Sequence, residues 1–211
     1  NKSNNIKASG NIKMVQGDSL TVYADHLFYN GDTKIARLRH NVRMENKELT
    51  LYTDSLNYDR KANIGYYFQG GKLVDTTNVL TSTNGTYYPD ADIAVFQNKV
   101  VLNNKDFDLY SDTLKYETIG KIAYILGPSD IIQDSTRIYS EYGWYNTIKE
   151  NAKLLNNSHI RDLEGRRLSA DTLYYNQKTG EAEGFTNVAL RDSAQSLLLN
   201  GGYGIYNEKT N

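Results

Sequence analysis

Hydrophobic and polar residues alternate along most of the chain with a period of two, which is typical of β-strands. A ten-residue form of this alternation occurs seven times. The blocks are LTVYADHLFY (20–29), LTLYTDSLNY (49–58), VLTSTNGTYY (79–88), FDLYSDTLKY (107–116), TRIYSEYGWY (136–145), RRLSADTLYY (166–175) and LLLNGGYGIY (197–206). Their first residues are 29, 30, 28, 29, 30 and 31 positions apart. Fixed periods of this length predict stacked supersecondary units that bury their apolar faces against each other.

Within each block the apolar positions change parity at a short polar segment. In the second block Leu51 and Leu56 have opposite parity, and the change occurs at Asp54. The same change recurs around Asp25 and Asp112. Because a straight strand with this pattern would turn one half inside out, we expect a bulge or bend at the acidic residue. The pattern therefore predicts a bent strand that passes from one sheet to a facing sheet.

The segment after each block is less regular but also alternates. Two examples are the series Ala36, Leu38, Val42, Met44 and the series Ala94, Phe96, Val100, Leu102. Turn-forming residues precede these segments, as in Asn30-Gly31-Asp32 and Pro89-Asp90. We predict a single all-β antiparallel domain over residues 6–211 and a disordered polar lead-in over residues 1–5.

Composition supports a thin β-rich core. The chain has 211 residues with 18 Tyr, 16 Gly, 2 Pro and a hydrophobic fraction of 39%, and Tyr with Val, Ile and Thr favours half-buried strands. The net charge of −1 gives no sign of a nucleic-acid partner. Absence of cysteine excludes disulfides and thiolate metal sites. No apolar run approaches the ~18 residues of a membrane helix, and we expect that any signal peptide has been removed.

The blocks resemble the OstA-like family of lipopolysaccharide-transport proteins of Gram-negative bacteria. The shared elements are a strand ending in a small residue and Asp, as in Ala24-Asp25, Thr53-Asp54, Ser111-Asp112 and Ala170-Asp171, and corners such as Gly10-Asn11-Ile12, His40-Asn41-Val42 and Thr186-Asn187-Val188. The resemblance covers residues 6–206. It implies an elongated, twisted two-sheet antiparallel β-jelly roll, open along one side, with an apolar groove.

The same resemblance implies a function in outer-membrane biogenesis. Such domains shield the acyl chains of lipopolysaccharide and bridge the two membranes across the periplasm, in contact with other transport proteins of the same fold. Burial of acyl chains would contribute ~25 cal/mol per Å² of apolar area, without a cofactor, a metal or bond-breaking chemistry, so we do not expect an enzyme. The residues predicted to line the groove are Leu20, Val22, Leu27, Leu49, Leu51, Leu56, Leu109, Leu114, Ile138, Trp144, Leu168 and Leu173.

Two rows of residues admit a functional and a structural interpretation. Asp25, Asp54, Asp112, Glu141 and Asp171, with Asn84 and Gly202 at equivalent places, could bind Ca²⁺ or act in acid–base chemistry, but Asn and Gly fit a bend better. Tyr29, Tyr58, Tyr88, Tyr116, Tyr145 and Tyr175 could line a lipid or sugar path, although their regular spacing favours stacking between neighbouring strands.

Two other classes of protein compete with the lipid carrier. A structural or adhesive β-solenoid would use the same repeats to make a closed, dry rod. A carbohydrate-active β-helix enzyme should show a cluster of acids that breaks the period, and the sequence has none. The histidines His26, His40 and His159 lack the spacing of metal ligands.

The first and last strands carry few residues that would block pairing with another chain. The strand from Ile6 to Gln16 has two lysines and no Pro, and that from Leu197 to Tyr206 has neither charge nor Pro. Unprotected edges pair with other strands. We therefore predict a head-to-tail homo-oligomer formed by strand addition.

Overall fold

The computed structural model describes residues 4–207, and the chain divides into unit 1 (Asn1–Leu102) and unit 2 (Asn103–Asn211). The described residues form eighteen β-strands and one short 3-10 turn at Pro89–Ala91, with no α-helix among them. No helix long and apolar enough to cross a membrane is found in residues 4–207. Of the predicted lead-in, residues 1–3 lie outside the described part, and Asn5 already begins the first strand. The prediction of a single domain over 6–211 stays a prediction.

The strands follow one another with short turns. Their bounds are β1 (Asn5–Gln16), β2 (Leu20–Asn30), β3 (Ile35–Asn46), β4 (Leu49–Asp59), β5 (Ile64–Tyr67), β6 (Gly71–Val74), β7 (Asn78–Ser82), β8 (Asn84–Tyr88), β9 (Ile93–Asn104), β10 (Asp108–Glu117), β11 (Ile122–Ile125), β12 (Ser129–Gln133), β13 (Thr136–Ser140), β14 (Tyr142–Asn146), β15 (Asn151–Asp162), β16 (Arg166–Asn176), β17 (Glu181–Asp192) and β18 (Leu197–Asn207).

Both units are antiparallel meanders. In unit 1, β1 to β4 pair in sequence order, β4 then pairs with both β5 and β6, and these pair with β8 and β7. In unit 2, β10 pairs with β11 and β12, these pair with β14 and β13, and β15 to β18 continue in order. The short pairs β5/β6, β7/β8, β11/β12 and β13/β14 are therefore the two halves of single bent strands. The all-β antiparallel fold and its seven repeats are confirmed.

On the long strands β2, β4 and β16 the bend lies at the acidic residue, as predicted. On β4, Leu49 and Leu51 are buried before Asp54, and Leu56 and Tyr58 are buried after it. The two halves of each strand thus form two facing layers of a β-jelly roll, and every second side chain of both halves points into the interior. The predicted opening along one side stays a prediction.

Two consecutive residues with positive φ on the neighbouring strand form the corner itself. On β3 these are His40 (φ 60°) and Asn41 (φ 49°), and they lie opposite the single residue Asp54 of β4. The bulge therefore has two residues facing one, which bends the strand. Asn tolerates the left-handed region better than most residues do, and equivalent pairs on β15 and β17 also contain Asn.

Small hydroxyl residues satisfy the backbone groups that the bend leaves without a strand partner. Thr53 donates to the carbonyl of Gly70 at 2.7 Å, and Ser140 donates to the carbonyl of Tyr142 at 2.7 Å. Buried carbonyl groups without a partner would be costly. Thr53 and Ser140, which precede Asp54 and Glu141, therefore have a structural role.

Candidate lipid-binding interior

The interior of unit 1 contains continuous apolar rows that cross the strands in register. Val22, Met44, Leu51, Leu73 and Leu80 are successive partners on β2, β3, β4, β6 and β7. Each has at most 1% of its surface exposed. A second row on the other halves of these strands includes Leu38 and Leu56, both fully buried. Both rows therefore consist of apolar side chains that face the interior.

Unit 2 has the same arrangement. Leu109, Ile131, Ile138, Ile160 and Leu168 are successive partners on β10, β12, β13, β15 and β16, and their exposure does not exceed 3%. The rows of both units are closely packed. A lipid could enter such an interior only where the row reaches the surface or where the two layers separate.

Ten of the twelve residues predicted to line the groove are buried in these interiors. Leu20, Val22, Leu49, Leu51, Leu56, Leu109, Leu114, Ile138, Leu168 and Leu173 have exposures between 0% and 5%. Leu27 is half-buried, and its register partner is the interior residue Leu38. Interior residues on the less regular segments, such as Met44 and Ile160, are not among the predicted twelve, although the same alternation marks them.

Trp144 is placed differently from its prediction. It pairs with Tyr124 and Lys153, whereas the adjacent Tyr145 is fully buried. Trp144 therefore lies on the outer face, and an interior role for it is wrong. The parity of the block assigns the inward positions to Gly143 and Tyr145, and the large apolar side chain at 144 obscured that assignment.

The inward tyrosines do not stack on one another, contrary to the favoured interpretation. In unit 2 the register runs Tyr116, Ala123, Tyr145, Ala152, Tyr175, so each ring is separated from the next by an alanine. Strands lie ~4.8 Å apart, so successive rings are about 9.6 Å apart. The row is an alternation of large and small side chains, which fills an interior efficiently.

The third block of unit 1 is shifted by one residue from its predicted alignment. The inward tyrosine is Tyr87, which is 3% exposed and pairs with Gly65 and Ala94, whereas Tyr88 is half-buried. The block therefore starts at Asn78, and Thr83 takes the place assigned to Asn84. With this shift the third block begins 29 residues after the second and 29 before the fourth.

The phenol groups of Tyr145 and of Tyr67, an interior tyrosine outside this row, are held by amides and hydroxyls. The Tyr145 hydroxyl donates to Oε1 of Gln177 at 2.5 Å and accepts from Nε2 of Gln133 at 3.0 Å. Burial raises the pKa of Tyr145. In unit 1, Tyr67 bonds to Ser82 Oγ at 2.6 Å, and burial raises the pKa of Tyr67 to about 12. These phenols stay neutral at physiological pH, so they supply hydrogen bonds without charge.

The acidic row stabilises the corners. Asp25 accepts from Nδ2 of Asn41 at 2.6 Å, and Asp171 accepts from Nδ2 of Asn187 at 2.8 Å. Glu141 does the same with Asn157 at 2.9 Å. Each acceptor thus fixes an Asn in the left-handed region of the neighbouring strand, in agreement with the bend interpretation. No group of three or more metal-ligating side chains occurs within residues 4–207.

The protein family that matches this pattern covers more than half of the chain. Residues 1–112 match the family described as OstA-like protein. This chain belongs to the OstA-like family. The resemblance to this family drawn from the strand-end and corner motifs is thereby confirmed.

Solved structures add one comparison for this OstA-like chain. LptH, described as the LptA homologous periplasmic component of the conserved lipopolysaccharide transport device from Pseudomonas aeruginosa, is 11% identical with a TM-score of 0.46. The alignment covers 51% of the OstA-like chain and 82% of LptH. No curated protein sequence matches the chain.

In the OstA-like chain the interior row of unit 2 reaches the surface at β18. Leu168 pairs with Leu190 of β17, and Leu190 pairs with Leu199 of β18. Exposure rises along this row, from 3% at Leu168 to 52% at Leu199. In unit 1 the inward-facing Ile6 of β1 is 55% exposed. Both strands therefore present apolar interior side chains to solvent in the described part of the chain.

Proposed function

We propose that this chain is a periplasmic lipopolysaccharide carrier that holds acyl chains against its apolar interior. The observation that supports this proposal is the row from Leu168 through Leu190 to Leu199, which connects the buried interior of unit 2 with exposed apolar surface. Each methylene of an acyl chain that leaves water contributes about 0.8 kcal/mol. Interior residues such as Leu51 and Leu114 would line the path once the two layers separate.

The proposal includes assembly with other proteins of the same fold. Both side-chain faces of β18 are exposed, with Leu198 of the outer face at 51% and Leu199 of the inner face at 52%. Val15 of β1 is 54% exposed. Pairing of a β18 edge with the β1 edge of a second copy, or of another transport protein, would cover these side chains and join successive apolar rows. Such a contact is heterologous and can extend into a chain of subunits that bridges the two membranes.

A structural scaffold is the alternative, and the close packing of the interior favours it. Val22, Leu38 and Leu56 are fully buried, which leaves a lipid no room unless the layers part. In a dry scaffold the exposed leucines of β18 would serve only assembly. The two functions differ in whether lipid reaches side chains on the inner face.

Site-specific photo-crosslinking distinguishes them. Leu198 and Leu199 are the same residue type with exposures of 51% and 52%, but only Leu199 faces the interior. With a photoreactive residue at each position in lipopolysaccharide-producing cells, we expect lipid adducts at 199 and few at 198. Leu51 and Leu114 should label more than the outward-facing Lys115. Equal labelling at 198 and 199, and at inner and outer positions generally, would refute the carrier and leave the scaffold.

A further inference from the structure

An outward-facing row of unit 1 alternates cations and tyrosines. Lys13, Tyr23, Arg43, Tyr52 and Lys72 are successive register partners on β1, β2, β3, β4 and β6. With ~4.8 Å between strands, the row is about 19 Å long. The interior fold does not require it, because these side chains point away from the core.

The row is partly organised before any ligand binds. The Arg43 guanidinium lies 4.5 Å from the centroid of the Tyr23 ring, and Nζ of Lys13 lies 5.9 Å from the same centroid. Arg43 also pairs with Glu45 at 3.3 Å, but both side chains are at least 40% exposed. Exposed pairs of this kind contribute ~0–1 kcal/mol, so Arg43 can exchange Glu45 for a stronger anionic partner.

Tyr52 and Lys72 are available to a ligand. The Tyr52 side chain is 45% exposed. Within residues 4–207 no side-chain hydrogen bond or ring contact is found for Tyr52, and no ion pair is found for Lys72. Their positions as direct register partners place an unoccupied aromatic face beside an unpaired ammonium group.

A surface depression of about 650 Å³ lies over this part of the row. Tyr23, Tyr52, Arg43, Lys72 and Gln69 are among the residues that line it. Gly70 and Gly71 also line the depression. A Cβ atom added to Gly70 would have no other atom within 4 Å, so the depression is open at this residue. The volume lies within the ~300–1,000 Å³ range of small-molecule sites.

The lining residues favour a ligand that has a sugar ring, hydroxyl groups and an anionic group. A tyrosine face packs against the C–H face of a sugar ring, and the amide of Gln69 can bond hydroxyl groups. Arginine and lysine bind phosphate or carboxylate groups. Asp54 is the only carboxylate in the lining, and its Oδ1 already accepts from the backbone N–H of Asn41 at 3.3 Å.

We propose that this depression, the Tyr52 site, binds an acidic saccharide, that is, a sugar bearing phosphate or carboxylate. Tyr52 provides the stacking face, and Arg43 and Lys72 bind the anionic group. Leu51 of the same strand points to the interior and does not line the depression, so the Tyr52 site is separate from the proposed acyl path. It goes beyond the proposed carrier function, and either binding activity can fail without the other.

Unit 2 provides a matched control. Tyr110 has the same place in its block as Tyr52 and is 42% exposed. Its register neighbours are Asp130, then Tyr139 and His159, without lysine or arginine. The aromatic ring is retained there, but the cations are not.

The test is calorimetric titration of the whole chain with lipid-free probes. The probes are an oligosaccharide of glucuronic acid, a phosphorylated oligosaccharide, a neutral oligosaccharide of glucose and inorganic phosphate. We expect the acidic oligosaccharides to bind at least tenfold more tightly than the neutral one or phosphate. Tyr52→Ala and Arg43→Gln should each weaken binding at least tenfold, whereas Tyr110→Ala should leave it unchanged. Tyr52→Phe, which keeps the ring, should bind more tightly than Tyr52→Ala.

Three results would overturn the proposal. The first is that neither acidic oligosaccharide binds. The second is that inorganic phosphate binds as tightly as the acidic oligosaccharides. The third is that Tyr52→Ala and Tyr110→Ala lose the same amount of affinity. Circular dichroism of each variant verifies that it is folded. Because every probe lacks acyl chains, failure here would not bear on lipid crosslinking at position 199.

Discussion

Two glycines enclose the ring of Tyr67, and this contact gives a sharp test of interior packing. A Cβ added at Gly85 would lie 2.5 Å from Cε1, Cζ and Oη of Tyr67. A Cβ at Gly71 would lie 2.5 Å from Cε2 and Cζ of the same ring. The ring is also bonded to Ser82 at 2.6 Å. It therefore cannot move away from one glycine without meeting the other or losing its hydrogen bond.

We expect Gly85→Ala to lower the free energy of unfolding by about 2–3 kcal/mol. Carbon atoms pack at ~3.5–4.0 Å, so the new methyl group demands a displacement of about 1 Å. Overpacking of this size costs ~1–3 kcal/mol, and the two-sided confinement of Tyr67 favours the upper part of that range. The φ angle of Gly85 is not positive, so the cost is steric and not conformational.

Gly65→Ala is the matched control. A Cβ at Gly65 would lie 3.3 Å from Cδ2 of Tyr58, with its other neighbours farther away. Displacements of a few tenths of an ångström suffice, and we expect a change below about 1 kcal/mol. Tyr67→Leu should then rescue Gly85→Ala, with a coupling of at least ~1 kcal/mol in the double-mutant cycle.

Urea denaturation followed by far-UV circular dichroism measures these differences. The slope of the free energy against urea should stay constant, so that the midpoint reports stability. Equal midpoints for Gly85→Ala and Gly65→Ala would show that the enclosure of Tyr67 does not determine packing. Coupling below ~0.5 kcal/mol between positions 67 and 85 would lead to the same conclusion.

Three further predictions concern the corners, the phenols and the edges. Asp171→Asn should be mild, whereas Asp171→Val should lower the free energy of unfolding by about 1 kcal/mol because Asn187 loses its acceptor; equal urea midpoints would contradict this role. Burial raises the pKa of Tyr67 to about 12, against ~10 in the unfolded chain. The neutral phenol therefore stabilises the folded state fully below pH 10, and this contribution is lost as pH rises through 12. The alkaline loss of folding stability should be smaller in Tyr67→Phe. Leu199→Pro should abolish concentration-dependent growth in light scattering if β18 pairs with another chain; a wild-type protein that stays monomeric, or a variant that assembles equally, would reject edge pairing.

The repeat and its change of parity were enough to predict the bent strands, because both depend on local patterns. Leu51 and Leu56 lie on the two sides of Asp54, and both point inward as the parity requires. The burial of most predicted interior leucines follows from the same rule. The prediction that Trp144 faces the interior is wrong, because it follows from the hydrophobicity of the side chain and not from the parity of its position.

Contacts between side chains on different strands depend on the register of those strands. The alternation of residues along a single strand does not define that register. The alternation of Tyr116 with Ala123 and Tyr145 becomes visible only when three strands are aligned. The pairing of Asp25 with Asn41 likewise joins residues sixteen positions apart. The cation–tyrosine row on the outer face cannot be predicted from the sequence pattern for the same reason, since its members belong to five strands.

The neighbour-only pairing within each meander has a consequence for folding and for evolution. Contacts between successive strands have short sequence separation, so closing each hairpin costs little chain entropy, and a fold dominated by such pairs has low contact order for a β-protein. Zipping from a first hairpin toward both sides is then a natural route, without a long-range search. Because each corner is built from residues of adjacent strands alone, gain or loss of a whole repeat by gene duplication or deletion leaves every remaining corner intact. The number of repeats is in that sense an inheritable variable, which selection can change one unit at a time.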